Sequence, residues 1–386
     1  MKAIFFLVYF FYSAFGEPIF LGNPYSKEYK SGEMIYARNI WDMQLYKDKI
    51  YIGGGNSSNY SPAKNAGRVN VVSLNPKDDS FTHEYRVAEE QIDIFKVYGD
   101  ILYIAGHDAT EKWDFGNIYR KYENHWYKNR TLPNALHVYD IVAKENKIFT
   151  AVGLNNKGAV FISDKKAINW KQLIQAKHER VYSFLEIGDE LFATQIFRKS
   201  KIKKVSMTQY NPKYNTFSPR FDLNTAKMFP DTKLQDDGIK IIKNVNFENK
   251  ALYIGAYKHN DHQNLPFGLY LASLKNKELQ VQKIDLEKES IPKDILVRKD
   301  AIYVLVSKNQ KEKTTIQVLK FVKNDFNHHE KIISFLYNSF ARSFEELHGC
   351  FYFGIGSEIA NPNTWNQNEL KKETGDILKL CLAKEN

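Results

Sequence analysis

Cysteine occurs only twice in 386 residues, which excludes a disulfide framework and a cysteine-rich zinc site. Beyond residue 15 no apolar run approaches the roughly 20 residues that a membrane-spanning helix needs. Neither charge sign dominates. Lys and Arg number 55 against 45 Asp and Glu, a net charge of +10 spread along the chain, so nucleic acid is not the expected partner. No HExxH, CxxC, Asp-rich calcium loop or Gly-x-Ser-x-Gly elbow is present, so the sequence calls for no metal or other cofactor and shows no nucleophilic hydrolase signature.

What is there begins with an address. Met1-Lys2 supplies one positive charge, residues 3–15 are uncharged and apolar, and Ala14 and Gly16 place small residues three and one before a cut. That is the anatomy of a secretory signal peptide over 1–16, leaving 17–386 as the mature chain. The expectation is a soluble monomer, exported to the periplasm or the medium.

The mature chain carries one motif seven times: an apolar segment, a short polar turn, then a run with an aromatic at a fixed place. The marker aromatics are Tyr51, Tyr103, Phe149, Phe192, Tyr253, Tyr303 and Tyr352, spaced by 52, 46, 43, 61, 50 and 49 residues. The turns are built from Gly, Asp, Asn, Lys or Glu, as tight hairpins require. In phase with the markers, a glycine opens a further alternating strand at Gly67, Gly116, Gly158, Gly268 and Gly375, and a more polar strand follows. Four strands per repeat of 40–50 residues is the period of a β-propeller blade. The fold expected is all-β: a single seven-bladed propeller domain over 17–386. The last repeat ends at its third strand, and GEMIYARN from Gly32 to Asn39 has the spacing of the missing fourth. An N-terminal strand at 33–39 would then pair with the C-terminal blade and close the ring. Helix is expected only near residues 226 and 369.

The repeats resemble the bacterial secreted seven-bladed propellers of uncharacterised function, related loosely to Asp-box, kelch-type and WD40-type repeats. The likeness rests on SDKKAINW (Ser163 to Trp170), which keeps the serine and tryptophan of Ser-x-Asp-x-Gly-x-Thr-Trp, with Asp164 one place early and Ala167 in the glycine position. It rests also on the 113–140 segment, which is similar to exported propeller proteins. The resemblance implies a fold, not a reaction. Sialidases share Asp-boxes, but their Arg-Ile-Pro motif is missing here.

In such propellers ligands sit on the axial face. Counting back about ten to twelve places from each marker aromatic reaches the entry ends of the inner strands: Asn39, Gln91 with Asp93, His137, Arg180, Lys240, Lys293 and Arg342. Four cations facing one axis form a site for an anionic ligand such as an acidic sugar, or else a set of rim charges paired with Glu89, Glu90, Asp236 and Asp237. The long loops between second and third strands add His107 with Asp108 and Asp114, and His259, Asp261 and His262; in extended loops these spacings fix no metal geometry. Gly53-Gly54-Gly55 either lets backbone approach a ligand or shapes a turn. The basic run 197–204 and the pair His328-His329 read as solvated surface. The signal peptide, the ring-closing repeat and the lack of a catalytic signature point to an exported binding module for an anionic or glycan ligand rather than an enzyme; the alternative is a glycan-active hydrolase or lyase. Finally, if residue 355 pairs with 376, Cys350 faces Cys381 across one ladder. Export permits a disulfide there; a slip of one residue would leave two buried free thiols.

Overall fold

Seven four-stranded antiparallel sheets, each in up-and-down order, stand as blades in a ring. The structure is a computed structural model; it describes residues 16–59, 63–155, 157–177, 179–198, 205–232, 238–259, 263–276, 278–310, 312–358 and 370–382. The inner strands of blades one to seven are Asp42–Tyr46, Phe95–Tyr98, His137–Lys144, Ser183–Ile187, Ile239–Phe247, Ile291–Val297 and Ala341–Leu347. Blades one to six then run outward through three consecutive strands, ending at Ser80–Arg86, His125–Pro133, Lys171–Lys177, Thr216–Pro219, Glu278–Ile284 and Asp325–Tyr337. Every marker aromatic lies in a second strand, and all but Tyr303 are buried.

Their placement explains the repeat. A second strand is covered on both faces by neighbouring blades, so its large ring must meet the next sheet. Tyr51 of blade one packs edge-on against Phe95 and Trp126 of blade two, Phe149 against Tyr210 and Phe217 of blade four, and Tyr303 against Phe351 of blade seven. Rings in this arrangement add about 0.5–1.5 kcal/mol beyond their burial. One large ring per blade per interface is what the 43–61-residue spacing encodes.

The ring is closed by an N-terminal strand, but a different one from that expected. Ile19–Gly22 completes blade seven, with Ile19 opposite Lys379, Phe20 opposite Leu378 and Gly22 opposite Ile377. Gly32–Arg38 is instead a 3-10 helix that buries Tyr36, Ala37 and Arg38 in succession. Three consecutive buried residues suit a helical turn and cannot come from an edge strand, whose faces alternate. The geometry requires the earlier segment: from the outermost strand of one blade to the innermost of the next the chain crosses three strand spacings, about 14 Å. Residues 23–41 make that crossing. Ile19 and Phe20 are 62% and 58% exposed, so the true closing strand lacks the apolar alternation that marks the others.

One further expectation changes. In blade five, residues 256–259 and 263–268, read as loop, continue the second and third strands, paired out to His259 opposite Gln263. Gly54 and Gly55 serve packing and the turn. A Cβ on Gly54 would lie 2.5 Å from the buried Tyr25 ring, and Gly55 sits at φ +110° with Glu90 carbonyl oxygen 2.5 Å from its missing Cβ. A single helical turn, Thr225–Met228, forms where helix was expected, its N–H at Lys227 capped by Asn224. The second site, near residue 369, lies largely outside the described residues, as does most of the basic run 197–204.

Blade seven carries additional ties. Asn23 Nδ2 donates to Asp376 Oδ1 at 3.0 Å and to Thr374 carbonyl oxygen at 2.9 Å, while Tyr337 donates to Asp376 Oδ2 at 2.8 Å. Cys350 pairs with Cys381 in the ladder, and the two are joined by a disulfide. Deleting residues 1–22 is expected to lower unfolding free energy in urea by about 2–4 kcal/mol, the worth of a few ladder hydrogen bonds. Deleting 1–18 should leave it unchanged; equal midpoints for both truncations would refute closure by Ile19–Gly22. Thiol titration of the denatured, unreduced protein should find no free thiol, and reduction should cost about 2–4 kcal/mol.

Candidate functional site

At the axis, the inner strands leave a cavity of about 710 Å³. One device aims side chains into it. The ladder between first and second strands slips at Val138/Asp140, Pro292/Asp294 and Ala341/Ser343, leaving Tyr139, Lys293 and Arg342 unpaired. A bulge turns its extra residue out of the pleat, here toward the axis. Lys293 and Arg342 stand ten places before their marker aromatics, and the same offset in the other blades gives Trp41, Asp93, Tyr139, Tyr182 and Lys243. All seven line the cavity, one per blade.

The wall beneath is held by carboxylates. Asp42 Oδ2 accepts the backbone N–H of Phe95 in the next blade at 2.7 Å. Asp140 does the same for Phe184 at 2.8 Å, Asp294 for Phe344 at 3.2 Å, and Glu345 for Leu45 at 2.6 Å. Each of these acids is almost fully buried. Their charges are answered by cations that point into the channel. Lys243 of blade five reaches across to Asp42 at 2.6 Å and Asp294 at 3.5 Å, Lys96 lies 3.7 Å from Asp140, and Arg298 pairs with Glu345 and Glu346. Burial works against the Lys243 ammonium, but Asp294 and Asp42 hold it charged, well above the usual lysine range. Burial raises Asp294, and Lys243 only partly offsets this.

Above this layer the mouth is divided. On one side Lys240 lies 3.8 Å from the centre of the Tyr182 ring, Lys293 4.0 Å from that of Phe340, and Arg342 4.2 Å from that of Trp41 and 5.2 Å from that of Phe340. Arg342 also donates to Ser357 carbonyl oxygen at 2.8 Å and pairs with Glu358 at 3.1 Å. Burial pulls Lys293 down to about 8, with Glu358 opposing and Arg342 reinforcing. On the other side Asp93 Oδ2 is 2.8 Å from His107 Nδ1 while its Oδ1 accepts from Gln91 Nε2, and Gln91 Oε1 accepts the Ser57 N–H at 3.0 Å. Burial alone would lower His107, but Asp93, Asp108 and Glu89 outweigh it and lift the imidazole to about 9.

Of the residues singled out in the sequence, Gln91, Asp93, His107, Lys240, Lys293 and Arg342 therefore meet in one cavity. Asn39, Asp108, Arg180, His137 and Asp114 do not line it. Arg180 Nη1 donates to Tyr139 Oη at 2.5 Å behind the wall, and His137 is held by Asp108 at 2.8 Å and stacked on Tyr139. Asp114 is half exposed on the rim, paired with Arg130. His137 and Arg180 stand twelve places before their markers, two beyond the productive offset. In extended chain that displaces a side chain by about 6.6 Å along the strand, where Tyr139 and Asp108 hold the two side chains outside the cavity. Of the expected acidic partners, Glu89 is buried against Asn117 and Tyr119 rather than on the rim, and Asp236 and Asp237 lie outside the described residues. So do Asp261 and His262; only the backbone of His259 is described. Among the described residues no group of three or more His, Cys, Asp or Glu is placed to hold a metal ion. The reading missed Trp41, Tyr139, Tyr182 and Lys243, although the offset of ten that finds them was legible.

No protein-family model and no curated protein sequence matches this chain. Solved structures do resemble it in three dimensions. The WD40 domain of Pan2 from Neurospora crassa aligns over 94% of this chain and 93% of its own, at 10% identity and a TM-score of 0.52. A chain of Kuenenia stuttgartiensis hydrazine synthase aligns over 90% and 96%, at 9% identity and a TM-score of 0.54. These likenesses establish the propeller fold and, at such identities, nothing about chemistry.

Two outcomes test the site's electrostatics. Replacing Lys243 by Met leaves Asp42 and Asp294 buried without their shared cation, and is expected to cost about 3–5 kcal/mol in chemical denaturation. His107, raised when folded, contributes stability that is complete below its unfolded value of 6.5 and lost as pH climbs through about 9. The wild type should therefore weaken between pH 6.5 and 9 in urea titrations, and His107→Gln should flatten that slope; an unchanged slope would contradict the Asp93–His107 pairing.

Proposed function

We propose that the chain is an exported binding module whose axial cavity takes an anionic glycan. The observation that carries this reading is the set of three cations at the mouth, each seated over an aromatic ring. A cation seated over a ring is ordered by that contact and keeps its charge directed at the cavity. Trp41 and Tyr182 offer apolar faces of the kind that sugar rings stack on, beside the donors that would meet an acid group. Asp93, Gln91 and Ser57 across the mouth suit hydroxyl groups. The cavity volume falls within the 300–1,000 Å³ typical of ligand sites. Export rests on the signal-peptide anatomy of residues 1–16.

Calorimetric titration with trigalacturonate, and with maltotriose as its neutral counterpart, tests the reading. Trigalacturonate should bind and weaken with added salt, whereas maltotriose should bind at least tenfold less well. A Lys293→Ala/Arg342→Ala double variant of unchanged melting temperature should lose at least tenfold in affinity, because each charge-assisted hydrogen bond is worth about 1.5–3 kcal/mol. Arg180→Ala should bind as wild type does. Equal binding by the double variant, or turnover in a screen of chromogenic glycosides, would overturn the proposal.

A further inference from the structure

Lys293 differs from the other amines whose partners are known in this cavity. Lys96 and Lys243 each face buried carboxylates at ion-pair distance. Among the described residues no carboxylate lies within that distance of Lys293. Its Nζ rests on the Phe340 ring, and the Arg342 guanidinium rests on the same ring. The bulges at Pro292/Asp294 and Ala341/Ser343 set both side chains at equivalent places in adjacent blades. An amine on an apolar wall beside a second cation is the arrangement that makes a lysine nucleophilic at neutral pH.

We propose that Lys293 captures carbonyl compounds: it forms a reversible Schiff base with a ligand that carries a carbonyl next to a carboxylate, a 2-oxo acid, whose carboxylate Arg342 holds. This deepens the axial-site reading and rests on it, since the same two cations are used. The guanidinium exchanges its Glu358 pair for the ligand carboxylate, which it takes through planar hydrogen bonds, and the adjacent carbonyl carbon then faces the amine. The Nζ lone pair attacks that carbon, forming the C–N bond while the C=O π pair moves to oxygen. The oxygen gains a proton and the nitrogen loses one, both exchanged with water, giving a carbinolamine. A second proton lets the oxygen leave as water, and the nitrogen lone pair closes the C=N bond. Amine plus carbonyl gives imine plus one water, with no change of oxidation state. With its proton affinity lowered to about 8, roughly a quarter of Lys293 is neutral at pH 7.5, against about one in a thousand for an ordinary lysine.

The test is reductive trapping of the whole mature protein with pyruvate and cyanoborohydride at pH 7, read by intact mass and peptide mapping. One adduct per chain is expected, at Lys293, at least tenfold above any other lysine. Lys293→Arg keeps the cation and should abolish the adduct. Arg342→Gln should cut pyruvate trapping at least tenfold yet leave trapping of acetone, which lacks the carboxylate, within twofold. Label spread over surface lysines, or an adduct persisting in Lys293→Arg, would overturn the inference. The trigalacturonate titration separates the two readings. Glycan binding without an adduct defeats the Schiff base alone. An adduct without glycan binding supports it and defeats the glycan class. Neither binding nor adduct defeats both.

Discussion

The blades are held at the axis by carboxylates that accept a backbone N–H from the neighbouring inner strand. Asp42, Asp140, Asp294 and Glu345 each make this bond, and each is almost fully buried. Burying four acids within one channel is costly, because the desolvation of each charge must be met by a partner. The channel therefore needs cations of its own, and Lys96, Lys243 and Arg298 supply them. Lys243 is the most constrained of the three, since it serves acids of two blades, Asp42 of blade one and Asp294 of blade six. Aromatic packing decides that seven sheets stand side by side; this charge lattice fixes how their inner edges meet.

The candidate site follows from that constraint. The lattice residues Asp42, Asp140, Lys243, Asp294 and Glu345 line the same cavity as the cations of the mouth. The bulges that precede Asp140 and Asp294 on the wall are the same ones that free Tyr139 and Lys293 to face the axis, and a third frees Arg342. In blades three and six, wall and site are thus consecutive residues of one local irregularity. The cations of the wall meet buried acids, whereas those of the mouth also rest on rings. The mouth thus has a cationic, aromatic half and a half built on Asp93, His107 and Gln91.

The two closing devices of blade seven obey different physics. The disulfide follows from register: with one antiparallel ladder fixed, Cys350 must face Cys381. The closing strand follows from distance, because a segment directly before the first inner strand cannot also lie at the outer edge of the last blade. Sequence spacing alone does not contain that second constraint.

The sequence by itself determined the all-β class, the number of blades and the second-strand position of each marker, because burial between two sheets demands a large apolar ring at a fixed point of every repeat. It also placed Asp93, Lys240, Lys293 and Arg342 near the axis, since the entry ends of the inner strands can be counted from those rings, and His107 on a long loop between second and third strands. Only the tertiary structure decided between Gly32–Asn39 and Ile19–Gly22 for closure; the true strand is mostly exposed and so carries no periodic signature. It alone separated Lys293 and Arg342 from Arg180 and His137, because Tyr139 and Asp108 hold the latter two outside the cavity. And it alone showed which cations are neutralised. Charge pairing joins residues 201 positions apart, as Lys243 joins Asp42, and no local pattern records a contact made across the axis of a closed ring.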